Sequence, residues 1–416
     1  MMRTWTHVAL VLSLVLFGFV VFATPVVAGA AADHANAGVE PGIEVLLHDR
    51  LDLIRGKHVG LITNQTGVGP DLTSDAVLLQ HAPGVHLVAL YGPEHGIEGA
   101  HQAGKPIVGA TRDPETGLPV YSLYGAHREP TPAMLKGVDV LVYDIQPVGA
   151  RFYTYLYTMA DAMKAAAKAH IPFIVLDRPN PIDAVTVQGP VLQPKYASFV
   201  GEYPIPLRYG MTVGELAELF NDQFGIHANL TVVKMRGYRR SMFYGQTSLP
   251  FVIPSPNMPT VDTALVYPGM GLVEGTNVSE GRGTTRPFQM IGAPWIDAVA
   301  LARAMNAAHL QGVRFRPAYF TPTFSKYQGQ LCGGVEMYVF DRNAFNPVID
   351  ALTLIKTIHD KYPGQFKFDA GDFDRLVGNS WVREGIEKGL PVSAMEKRWQ
   401  RRLDTFKSER AKYLLY

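Results

Sequence analysis

Four stretches of the chain restrict its fold more than any other feature. HVGLITNQTGVG (58–69), VHLVALYGPEHG (85–96), VDVLVYDIQPVGARFYTY (138–155) and IPFIVLDRPNP (171–181) each begin as an unbroken apolar run and end in a polar loop. A strand wetted on one face alternates apolar with polar residues, whereas an unbroken run is the mark of a strand covered on both faces. Between the last two lies TYLYTMADAMKAAAKA (154–169), alanine-rich with apolar residues at helical spacing. Strand, helix, strand in that order implies a right-handed parallel crossover. The first half is therefore expected to be a doubly wound α/β domain.

The polar residues recur at one place in each unit. Asn64, Gln65 and Thr66 follow the first run, Glu94 and His95 the second, Asp144, Gln146 and Arg151 the third, and Asp177, Arg178 and Asn180 the fourth. Open α/β sheets bind ligands at the carboxyl ends of their strands. Four loops are thus expected to converge on one crevice.

Further on, TVGELAELFNDQF (212–224) reads as a helix opened by a Thr212–Glu215 capping box, which makes Glu215 structural. A strand is expected at 230–238. The span 253–295 is long, polar and rich in glycine and proline around one short helix, and a loop of that length in a compact domain is usually functional. Helices at 296–308, 346–361 and from about 393, with strands near 313–320 and 334–340, complete a second, smaller α/β domain. The boundaries read as 1–30 for a signal peptide, 36–240 for the first domain and 241–416 for the second.

The leader reading rests on Arg3 followed by an apolar run from Val8 to Ala23, then Ala28-Gly29-Ala30 in the small-x-small form of a cleavage site. Cleavage is expected near Ala30 or at Ala23; the competing reading is an uncleaved membrane anchor. Either way a secreted or periplasmic location is expected. Lys+Arg 38 against Asp+Glu 37 gives no electrostatic footprint for nucleic acid. Cys332 is the single cysteine, so an intrachain disulfide and a thiolate metal cluster are excluded. It stands at a strand entrance, as a small apolar residue would. No H-E-x-x-H or H-x-H pattern occurs, and neither a metal nor a cofactor is expected.

Glu94 is the leading candidate for acid–base chemistry: a carboxyl group at a strand end beside Tyr91 and Pro93 suits a proton donor. An ion pair with an arginine from another loop is the structural alternative. His95 is placed as its partner. EGTNVSEGRGTT (274–285) reads as a substrate-holding loop, with Glu274 and Glu280 as candidates for a second carboxylate, and Asn277 and Arg282 as binding groups. It is neither a P-loop nor a nucleophile elbow. Arg151, Arg178, Arg208 and Arg282 supply forks for a carboxylate or phosphate. Tyr153, Tyr155 and Tyr209 beside them offer flat faces for sugar rings.

Seven blocks in order, GLITNQTGV, LYGPEHGIEGAHQAG, DIQPVGARFYTYLYTM, VLDRPNPI, GEYPIPLRYGMTVGELA, IPSPNMPT and YPGMGLVEGTNVSEGRGTTRPF, closely resemble the DUF1343 family. That family is associated with the exo-β-N-acetylmuramidases of glycoside hydrolase family 171 (NamZ). The resemblance implies a Rossmann-like N-terminal domain, a smaller C-terminal α/β domain and an active site in the cleft between them. It also implies release of N-acetylmuramic acid from non-reducing ends of peptidoglycan fragments, with Glu94 as catalytic acid. One departure is visible: the third block carries Pro147 where the family pattern has an aspartate.

Muramic acid fits the residue reading. Its lactyl carboxylate calls for Arg178 or Arg282, its acetamido group and hydroxyls suit Asn64, Gln65, Asn180 and Asn277, and its anomeric oxygen suits Glu94. The partners expected are muramic-acid saccharides, with the membrane one only if the leader is retained. A non-catalytic wall-binding protein is the alternative. A nucleotide enzyme is disfavoured by TNQTGVG standing where G-x-G-x-x-G would be required.

Overall fold

The computed structural model describes residues 38–105, 107 and 112–416, of which 38–416 belong to one compact unit. The residues read as a leader with its cleavage site lie outside the described residues. Helix α1 (Gly42–Asp49) precedes β1 (His58–Thr63), α2 (Asp75–His81), β2 (His86–Gly92), β3 (Val120–Ser122), β4 (Val140–Asp144), α3 (Tyr155–Ala169) and β5 (Phe173–Leu176). A two-stranded hairpin, β6 (Gln188–Val191) with β7 (Pro206–Arg208), interrupts the series before α4 (Val213–Gln223) and β8 (Leu230–Val233). The main sheet is parallel with order β3-β2-β1-β4-β5-β8, the doubly wound arrangement whose order reverses between β1 and β4.

The unbroken runs have the expected cause. Side chains alternate across a strand. Val140 and Val142 join Val59, Leu61, Ile174 and Leu176 in one core under α1 and α2. Leu141 and Tyr143 join Phe173 and Val175 in the other, under α3 and α4. Both faces are dry, so every position is apolar. The capping box of α4 is present as read: Glu215 N–H donates to Thr212 Oγ1 (3.3 Å), and Thr212 N–H to Glu215 Oε2 (3.0 Å).

The second domain begins with α5 (Val261–Met270) and a short 3₁₀ segment, Gly271–Gly275. It continues through β9 (Met290–Ala293), α6 (Ala298–Ala307), β10 (Val313–Phe320), β11 (Cys332–Val339) and α7 (Pro347–Lys361). It ends with α8 (Ala370–Val377), α9 (Trp381–Glu387) and α10 (Val392–Arg410). Its sheet is antiparallel, order β10-β11-β9, with helices packed against it. The architecture is a Rossmann-like parallel-sheet domain joined to a smaller α/β domain. Cys332 is fully buried at the start of β11, and burial pushes its thiol up to about 11.

Asp350 in α7 is 2% exposed, and its Oδ2 has no hydrogen-bond partner among the described residues. Burial pushes the carboxyl up to about 8. The folded protein therefore keeps a proton that the unfolded chain releases near pH 4. Stability from this group is complete below about pH 4 and drains as pH rises through 8, by at most about 1.4 kcal/mol per pH unit. Asp350→Asn is expected to flatten the denaturation free energy between about pH 5 and 8 relative to the parent. Equal slopes in urea titrations across that range would refute this.

Candidate active site

Glu94 is positioned by a forced turn. Directly after β2 and Pro93, His95 takes the left-handed conformation (φ 75°), costly for a residue with a Cβ. Three bonds hold it there. His101 N–H donates to the His95 carbonyl (3.1 Å), Gly96 N–H donates to the Pro93 carbonyl (3.1 Å), and the imidazole Nδ1 lies 2.6 Å from the His101 carbonyl. A carbonyl only accepts, so Nδ1 carries the proton and Nε2 is left as an acceptor. Burial lowers the His95 pKa, against the pull of Glu94, and the ring is neutral at neutral pH.

The Glu94 carboxyl is 8% exposed. Its Oε1 accepts from Gly104 N–H (2.9 Å) and its Oε2 from the Thr154 hydroxyl at the head of α3 (2.7 Å). No arginine pairs with it, so the structural alternative to a chemical role is absent among the described residues. Tyr124 faces the same carboxyl; burial and the Glu94 charge push its phenol up to about 12.

Across from Glu94 stands the 274–285 loop of the second domain. Arg282 sits between Gly281 (φ 81°) and Gly283 (φ 82°), where a Cβ would meet the Met290 and Phe324 carbonyls at 2.4 and 2.6 Å. The glycines thus press the loop onto its own domain. The Arg282 guanidinium donates to Glu274 Oε1 (2.7 Å), lies 3.4 Å from Glu280 Oε1, and covers the Phe288 ring. Burial opposes its charge, but Glu274, Tyr267 and Glu280 together lift it above the ordinary range. Burial raises the Glu274 carboxyl against the pull of Arg282, and Glu280 adds to the rise. Glu280 itself is 2% exposed, with Lys326 Nζ 3.0 Å from its Oε2. The same ammonium donates to the Val273, Glu274 and Val278 carbonyls at 3.0–3.1 Å. Glu280 therefore shapes the loop with Lys326 at the wall of the outer cleft, while Glu274 and Arg282 reach both parts of the space in front of Glu94.

That space has two parts. An outer cleft of about 1350 Å³ runs between the domains. An inner pocket of about 110 Å³ opens beside it, and Glu94, Thr154, Glu274 and Arg282 border both. His95 and Tyr153 line the inner pocket, and the Tyr153 hydroxyl has no partner among the described residues.

The remaining strand-end residues are committed elsewhere. Asp144, expected to bind substrate, is fully buried and accepts from Arg178 Nε and Nη2, with Nη2 2.9 Å from Oδ2. Arg178 also donates to the Val68 carbonyl (3.0 Å). Asp177 accepts from Arg178 N–H, Gly214 N–H, the Thr212 hydroxyl and the Tyr416 hydroxyl at 2.7–3.0 Å, anchoring the C-terminal tail. Burial and Glu215 push it up to about 7. Arg151 is fully buried and donates to the Pro190, Ile205 and Leu376 carbonyls. Arg208 is spent on Asp183 and the Ile182 carbonyl. Asn64 caps Thr66, Gln65 reaches the Ile253 and Pro254 carbonyls, Asn180 binds the Met211 carbonyl and Asn277 ties to Gln365 and Lys367. None of these lines the cleft. Conversely, Thr154, Tyr124 and Lys326 were not singled out in the sequence. A threonine heading an alanine-rich helix is the one legible signal among them.

A Rossmann-like domain that delivers a buried carboxyl to an interdomain cleft, facing a second carboxyl and aromatic walls, has the parts a glycoside hydrolase requires, and the comparisons with known proteins place the chain in that class. Two family models match, both described as exo-β-N-acetylmuramidase NamZ: the N-terminal one over residues 59–262 and the C-terminal one over 265–416. The chain belongs to this family. It is similar to the peptidoglycan β-N-acetylmuramidase NamZ of Bacillus subtilis, 54% identical over 407 residues that cover 96% of this chain and 98% of the relative. Among solved structures it resembles two DUF1343 family proteins from Bacteroides fragilis. One has a TM-score of 0.84 at 40% identity, covering 92% of this chain and 100% of the other. The second has a TM-score of 0.75 at 33% identity, covering 91% and 99%.

Proposed function

We propose that the protein is a secreted, exo-acting glycosidase that releases N-acetylmuramic acid from the non-reducing ends of peptidoglycan fragments. The Bacillus relative's activity supports the substrate class. The observation that carries the chemistry is Glu94: buried, free of any arginine among the described residues, held by two hydrogen bonds, and set where the inner pocket meets the cleft. In this reading Glu94 protonates the departing glycosidic oxygen. Oxygens held by Gly104 and Thr154 cannot swing away, so the proton is presented in one direction. Glu274, kept near Arg282, or the sugar's own acetamido oxygen serves the opposite face of the ring. The leader read at residues 1–30 supports export to the wall.

Pure protein incubated with peptidoglycan digests is expected to liberate free N-acetylmuramic acid, read by mass spectrometry, from chains ending in that sugar. Chains ending in N-acetylglucosamine are expected to stay intact. Release of glucosamine termini, or no release from either, would sink the proposal.

A further inference from the structure

The cleft sorts its charges. Around the inner pocket the ionisable groups are Glu94, Glu274, His95 and Arg282. Arg282 is already shared by Glu274 and Glu280, and His95 is neutral with its proton directed at the His101 carbonyl. What remains is two carboxyls, the Tyr153 hydroxyl without a hydrogen-bond partner among the described residues, the polar side chains of Thr154, Ser255 and Asn257, and apolar walls that include Met258, Tyr267 and Phe288. An anion entering there meets like charge without a spare cation, which is costly in a desolvated site. A short neutral group with one polar and one methyl end meets an open hydroxyl and hydrocarbon. About 110 Å³ leaves room for only a few non-hydrogen atoms.

The outer cleft differs. Arg128 lines it, lies exposed with its guanidinium 4.5 Å from the Phe199 ring centroid, and makes no ion pair among the described residues. Lys105 lines the same cleft, as do Lys326, which pairs with Glu280, and Asp372, which pairs with Arg375. The sequence reading sought a cation for the lactyl carboxylate in Arg178 or Arg282, which the fold pairs with Asp144 and Glu274.

Resting on the proposed function, we infer that the two substituents of the muramic-acid ring are separated by charge. The neutral 2-acetamido group enters the inner pocket beside Tyr153, and the 3-O-lactyl carboxylate turns outward to Arg128. Arg128 is then the residue that sets preference for an acidic sugar, and the inner pocket limits the length of the N-acyl group.

Two substrate series test this on the intact protein. In the first, 4-nitrophenyl muramic-acid glycosides carry N-acetyl, N-propionyl or N-butyryl groups. kcat/KM is expected to fall about tenfold or more from acetyl to butyryl, as extra methylenes overfill a closed pocket. In the second, the lactyl acid is compared with its neutral lactamide for the parent and for Arg128→Gln and Arg128→Lys. The parent is expected to favour the acid about tenfold, chiefly through KM, a preference that Gln abolishes and Lys partly restores. An acid-to-amide ratio unchanged in Arg128→Gln, or equal hydrolysis across the N-acyl series, overturns the assignment while leaving the muramidase reading standing. Failure to cleave the N-acetyl acid at all removes both.

Discussion

Glu94→Gln is expected to abolish nearly all hydrolysis of a muramic-acid disaccharide, by about 10²–10⁴ in kcat, while substrate binding persists. The amide keeps the shape of the carboxyl. Its oxygen still accepts from Gly104 N–H, and its NH₂ donates to the Thr154 hydroxyl, so the turn set by His95 stays intact. What is lost is the transferable proton. The loss is therefore expected to depend on the leaving group. A 4-nitrophenyl glycoside, whose phenolate departs with little help, should lose less than the disaccharide. A nucleophile at this position would instead weaken both substrates alike. Three measurements decide the matter: kcat on each substrate, a dissociation constant from calorimetry, and thermal melting to confirm that the variant folds. Near-parent turnover of the disaccharide would remove Glu94 from the acid role.

The parts of this picture that were legible in the sequence share a physical origin. Strands β1, β2, β4 and β5 were readable because both faces of the sheet are buried, which leaves no polar residue to blur the run. Helix α4 was readable because its capping box is a local pattern of four residues. Helices α8 and α9, of eight and seven residues, were not, since two turns carry too little periodicity to separate from loop. Strand β3 has three residues, and the β6–β7 hairpin includes Pro190 and Pro206, which read as breakers.

Of the candidate site, the gathering of polar residues at strand ends was legible and their partners were not. Polar residues do gather at the strand ends, but sequence shows residue type and not distant partners. Asp144 is bound to Arg178 from the neighbouring strand end, and Asp177 to Tyr416 at the far end of the chain. Glu94 differs from them because the described residues place no guanidinium against it. A carboxyl with hydrogen-bond donors but no counter-charge, at the wall of a cleft, remains available to a ligand, whereas one fully buried against a cation, as Asp144 is, does not. The cation proposed for the acidic sugar carries no signal in the sequence: Arg128, in YGAHREP, stands outside the family-like blocks and looks like an ordinary surface arginine.

The commitment of Arg178 has a measurable consequence. Arg178→Met is expected to destabilise the protein by about 3–5 kcal/mol, because it leaves the fully buried Asp144 carboxylate without its counter-charge. The site is already strained by a second carboxyl. Burial and the Asp144 charge push Asp75 well above its ordinary range, and its Oδ1 has no partner among the described residues. Burial opposes the Arg178 charge, yet Asp144 with Asp75 nearby lifts the guanidinium above its usual range. Removing that cation unbalances both acids at once. Adding Asp144→Leu to Arg178→Met is expected to recover most of the loss, since replacing both members of a buried pair by apolar groups is often close to neutral. The double-mutant cycle separates scaffold from ligand contact. If Arg178 serves the scaffold, the double variant melts near the parent and keeps its KM for a muramic-acid glycoside. If Arg178 binds the lactyl carboxylate, KM rises in both variants however stable they are, and the assignment of that carboxylate to Arg128 fails with it.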